Sequence, residues 1–192
     1  MRESKMKRSS RIVAVMVLLA GSCVAQKKGV TPPPKPEDNG PSLEATMNFI
    51  REKLNGLAPM GYVLYFHDNV AGTDWATQAK TTVSDVVADP SACRISYLLK
   101  IEHPGGEATN VNMLGAITKI KQIAVVPAKQ WVERTNAADH PSWAVTVSPP
   151  FFVVEMDGPF LPLYDEELAN RLAKAITHAV ELCGGGSAPE PF

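Results

Sequence analysis

Residues 165–184 (DEELANRLAKAITHAVELCG) constrain the fold more than any other stretch, because they spell one long helix with a single apolar stripe. Leu168, Leu172, Ile176, Val180 and Cys183 recur at helical spacing, with Ala169, Ala173 and Ala179 beside them. Asp165 is a suitable N-cap, Glu166 and Glu167 complement the helix dipole, and Gly184 supplies a stop. A helix with one apolar face must bury it against another layer. Its small alanines let it lie close to a sheet.

The chain ahead of that helix supplies strands. Residues 62–67 (YVLYFH) and 93–101 (CRISYLLKI) are rich in strand formers, and residues 81–87 form a weaker candidate that Asp89-Pro90 ends. His103-Pro104-Gly105-Gly106 places proline then glycine at the centre of a type II turn, which returns the chain through residues 111–114. Ile117, Ile120 and Ile123 are three apart, so a helical turn leads into a strand over 123–126, which Pro127 ends. Trp143, Val145 and Val147 alternate with smaller residues as in a half-buried strand. Residues 151–156 and 160–164 flank Asp157-Gly158-Pro159, a hairpin signal. Residues 128–142 admit no single assignment, although Trp131 and Val132 are expected to tuck into the core. Near the start, Ser42 caps a first helix whose Leu43, Met47, Ile50 and Leu54 share one face, and Asn55-Gly56 closes it. The expected class is α+β. An N-terminal helix precedes a strongly bent antiparallel sheet, or partly open barrel, of about six to seven strands, and a C-terminal helix caps it.

Four segments follow from composition. Residues 1–25 read as a secretory signal, with Arg2, Lys5, Lys7, Arg8 and Arg11 ahead of the apolar run 12–20 (IVAVMVLLA) and small residues after it. Residues 26–41 form a proline-rich linker, residues 42–184 a single α+β domain, and residues 185–192 a flexible tail. Cleavage between Ala25 and Gln26 is the favoured reading. In the alternative, residues 19–23 (LAGSC) act as a loose lipobox and Cys23 carries a lipid anchor at the envelope. Either way the domain is expected in the periplasm or outside the cell. No run reaches the ~18 consecutive apolar residues of a membrane helix, so no integral membrane segment is expected.

The leader holds five basic residues and one acidic, out of 19 and 20 in the chain, so its removal leaves 14 and 19, a net charge of −5. That balance lacks the footprint of a nucleic-acid binder or of a protein drawn to anionic lipid. Cys93 and Cys183 then form an even pair in an oxidising compartment and are a candidate disulfide, with two buried thiols as the alternative.

Three stretches carry a resemblance. The C-terminal run 165–185, residues 42–46 (SLEAT) and residues 89–97 (DPSACRISY) resemble a group of uncharacterised exported bacterial proteins. With that group we associate no activity. The order of antiparallel strands followed by one amphipathic helix also resembles a pleckstrin-homology-like barrel, in which the last helix plugs one end of a bent sheet. That likeness implies a fold and no function.

Local reaction signatures are missing. The chain has no G-x-S-x-G, H-E-x-x-H, C-x-x-C, P-loop or G-x-G-x-x-G. His67, Asp68 and Asp74 could converge near one loop as metal ligands, but a polar strand end is the simpler reading. His103 and His178 are expected in solvent. Trp75, Trp131 and Trp143 are expected as core anchors more than as pocket walls. No catalytic, cofactor or metal residue is assigned, and no cofactor is expected. The expected function is a non-catalytic exported module that binds an envelope protein or a small ligand. The alternative is a small hydrolase or metal-dependent enzyme with a dispersed site.

Overall fold

Ser42 fixes where the first helix begins. Its side chain accepts from the Ala45 N–H at 3.2 Å, and α1 runs over Leu43–Asn55. The computed structural model describes residues 40–185. The leader 1–25, with Cys23 and Ala25, lies outside the described residues, as do Gln26, most of the linker and most of the tail. Met47, Ile50 and Leu54 are buried on one face of α1, as their spacing requires.

Strands β1 (Met60–Asp68) and β2 (Thr73–Asp89) form a hairpin. Asp68 shapes its turn, with Oδ1 accepting from the Val70 and Ala71 N–H groups at 2.8 and 3.1 Å. β2 is far longer than the candidate over 81–87. Its first half pairs with β1 and its second half with β3 (Arg94–Glu102). The first half was illegible because most of its side chains face solvent and carry little apolar alternation. A bulge between Ser84 and Val87, with Asp85 at φ 53°, marks the later half.

The type II turn after β3 forms as expected: Gly105 has φ 72°, and Gly106 N–H donates to the His103 carbonyl at 3.1 Å. The chain returns as β4 (Thr109–Ala116), passes a 3₁₀ turn (Ile117–Lys119) and continues into β5 (Ile123–Pro127). Residues 128–136, unassigned from sequence, are the short helix α2 (Ala128–Asn136). Three strands follow, β6 (Trp143–Ser148), β7 (Phe152–Met156) and β8 (Phe160–Leu163), and then α3 (Glu166–Leu182).

The class is α+β, and its antiparallel pairing is shared between two open sheets. One has five strands in the order β4-β3-β2-β1-β6, the other three in the order β5-β7-β8. Pro162 sits within β8, an edge strand, where its missing N–H costs no central ladder bond. The Asp157-Gly158 hairpin closes with Met156 N–H donating to the Pro159 carbonyl at 2.9 Å.

The main core gathers Met47, Ile50 and Leu54 of α1, Ile95 and Leu99 of β3, Val154 of β7, and Leu172 and Ile176 of α3. A second cluster under α2 takes Met60, Ala128, Phe151 and Val153. Val153 and Val154 therefore point to opposite sides, and both are buried. α3 begins on Asp165, which accepts from the Glu167 and Leu168 N–H groups. It ends in a Schellman arrangement, with Gly184 at φ 74° and Gly185 N–H donating to the Val180 carbonyl at 2.8 Å. A Cβ on Gly185 would lie 2.6 Å from Thr118 Cα, so glycine is required for the helix end to press on the 3₁₀ turn.

The candidate disulfide is formed. Cys93 and Cys183 join the start of β3 to the end of α3, with Cα atoms 5.9 Å apart. The Cys93 carbonyl also accepts from the Ile117 N–H at 3.0 Å. One residue thus ties β3, the 3₁₀ turn and the last helix together.

Candidate ligand cavity

Between the two sheets lies a partly enclosed cavity of about 240 Å³. β3 and β4 build one wall: Ile95 and Gly115 are direct partners in the ladder, so they face the same side, and Tyr97 follows on β3. The β7–β8 hairpin contributes Met156 and Leu161 to the opposite wall, while Leu54 of α1 and Ile176 of α3 close the interior. Ile117 and Ile120 line the side under the 3₁₀ turn.

Gly115 puts no side chain into this space. A Cβ built there meets nothing within 4 Å. An isolated glycine in a strand pattern marks a position where something approaches closely. Gly115, immediately after residues 111–114, is the one sequence signal that could have located the site.

Three titratable side chains border the cavity. Tyr97 is 5% exposed, and its hydroxyl donates to the Phe160 carbonyl at 2.9 Å. Burial pushes its pKa well above the ordinary value, so it is a neutral donor already in use. Asp157 is exposed, and its Oδ2 accepts from the Lys121 and Gln122 N–H groups at 2.6 and 3.3 Å. Lys119, the last residue of the 3₁₀ turn, has no ion-pair partner among the described residues. The site therefore has an apolar interior with charge confined to exposed side chains.

A second, wider groove of about 720 Å³ lies open to solvent and is bordered by Gly61, Lys80, Glu102 and His103. Lys100 pairs with Glu102 at 2.7 Å and holds that carboxyl below its usual range. The groove lacks the enclosure that strips water from a small ligand.

The other residues singled out from sequence separate. His67 Nδ1 and Asp74 Oδ1 meet across the β1–β2 ladder at 2.8 Å, but Asp68 turns to its own loop and to Ser142. Among the described residues no group of three or more His, Cys, Asp or Glu side chains is placed to hold a metal ion. His103 is exposed, with Nδ1 2.9 Å from the Gln78 carbonyl. His178 departs from the solvated position expected: its side chain is 23% exposed, and Nε2 lies 2.8 Å from the Pro41 carbonyl, so it ties α3 to the approach to α1.

Trp131 of α2 is half-buried with its ring against Phe160, as a core anchor should be. Trp75 is not a core anchor. It is 37% exposed, stacks on Phe66 and meets Trp143 edge-on. Its ladder partner Phe66, not Trp75 itself, joins Val132 of α2 and Val145 in a buried cluster, and the cross-strand aromatics cover one another at its edge. His140 stacks on Trp143 with centroids 3.6 Å apart.

No helix among the described residues is long and apolar enough to cross a membrane. No family model, characterised protein or solved structure matches the chain.

Proposed function

We propose that the domain is a non-catalytic binding module that takes a small apolar ligand between its two sheets. The observation that carries this reading is the partly enclosed cavity of about 240 Å³, into which Gly115, the ladder partner of Ile95, puts no side chain. An apolar cavity of about 150 Å³ already accepts benzene. This one has room for a small apolar molecule or one end of a longer chain. The acid–base groups beside it support binding over catalysis: Tyr97 is buried with its hydroxyl donating to a backbone carbonyl, and Asp157 and Lys119 are exposed.

The expected setting is outside the cytoplasm. The basic-then-apolar leader supports export, and the Cys93–Cys183 bond suits an oxidising compartment. The resemblance to exported bacterial proteins belongs to the same proposal. So does the analogy to a pleckstrin-homology-like barrel, which the final helix packed on antiparallel strands supports.

Titration with a neutral environment-sensitive naphthylamine dye, followed by displacement with octan-1-ol, tests the binding reading. Saturable enhancement that octan-1-ol reverses is the expected result. Fluorescence rising without saturation, and unaffected by octan-1-ol, would overturn it.

A further inference from the structure

Resting on the cavity reading above, we infer that the ligand is an anionic amphiphile, an alkyl carboxylate whose chain enters between the sheets and whose head group pairs with Lys119. The interior offers mainly hydrocarbon contacts from residues such as Leu54, Ile95, Ile120 and Ile176, so it suits an alkyl or similar tail. The polar bordering side chains are then asymmetric in what they offer. Asp157 is already bonded to two backbone N–H groups of the segment that follows the 3₁₀ turn. Tyr97 is already donating to Phe160 and sits inside the wall. Lys119 borders the same cavity, is exposed, and has no acidic partner among the described residues. An ammonium at the end of a flexible stem can follow a head group that stays in water while the tail is buried.

Three single-chain probes of equal length separate the contributions: octanoate, octan-1-ol and octylammonium, each below its micelle concentration. Octanoate is expected to bind about fivefold more tightly than octan-1-ol, the scale of an exposed ion pair, with the preference shrinking as salt is added. Octylammonium is expected to bind most weakly. In Lys119→Met the advantage of octanoate should vanish while octan-1-ol binds as before. In Gly115→Val all three should lose affinity, which places the effect in this cavity. Equal affinity for octanoate and octan-1-ol overturns the carboxylate assignment while leaving the cavity reading intact. Tighter octylammonium overturns it too and makes Asp157 the head-group partner. Failure of all three probes overturns both.

Discussion

Cys93 and Cys183, 90 residues apart in sequence, bring the first residues of β3 against the last turn of α3 with Cα atoms 5.9 Å apart. The bond closes a loop that contains β3, β4 and β6 of one sheet, all three strands of the other, and both α2 and α3. In the chain-entropy description, a loop of this length restrains the unfolded chain by about 4–5 kcal/mol. A Cys93→Ala/Cys183→Ala double variant should therefore lose about 2–5 kcal/mol in urea unfolding. A variant as stable as the parent would mean that the loop is already held together without the bond.

Thr46 is 4% exposed, and its Oγ1 has no hydrogen-bond partner among the described residues. A buried hydroxyl without a partner costs free energy that an apolar isostere does not. Thr46→Val should raise stability by about 1 kcal/mol, read as a higher urea midpoint at unchanged slope. A fall would show that the hydroxyl is satisfied.

Asp68 is held below the usual carboxylate range, first by the Ala71 N–H, then by the Val70 N–H and the Ser142 hydroxyl. A carboxyl with a depressed folded-state pKa stabilises the fold above its unfolded value of 3.8, and that stability is lost as pH falls through the folded value. Asp68→Asn should thus unfold at lower temperature than the parent near neutral pH, and the gap should narrow as the pH falls below 3.8 and through the lower folded value. A gap that stays constant with pH would assign the loss to turn geometry alone.

Tyr97 works in the opposite direction. Burial raises its pKa, so the folded state keeps the proton that the unfolded state gives up above pH 10.0. Its contribution is complete below that pH and falls away as the solution becomes more alkaline. Tyr97→Phe should cost about 1 kcal/mol near neutral pH, because the Phe160 carbonyl loses its donor, and should flatten the alkaline decline. Parallel alkaline profiles for the two proteins would place the titrating group elsewhere.

The first and last helices were legible from sequence because each rests on local signals, whereas the cross-link was one of two readings of an even cysteine pair. Ser42 and Asp165 cap where side-chain chemistry says they should, and both apolar stripes are buried. Strands β3, β6, β7 and β8 announced themselves through apolar runs and turn residues. The first half of β2 did not, since Thr73 to Gln78 mostly face water and owe their strand state to pairing with β1. α2 was hidden because nine residues give too few turns for a clear period. The division into two sheets depends on which strands meet in space, and periodicity within a strand does not encode that. The cavity was least legible, because its walls come from β3, β4, α1, α3 and the last hairpin. Only Gly115 hinted that a side chain was missing where one would otherwise pack.

The most direct test of the cavity as a binding site is thermal unfolding of the parent and of Gly115→Val, each with and without octan-1-ol. Valine fills open space opposite Ile95 and suits a strand, so the ligand-free variant should gain about 0.5–2 kcal/mol. The stabilisation that octan-1-ol gives the parent should disappear in the variant. An octan-1-ol shift of equal size in both proteins would contradict the site.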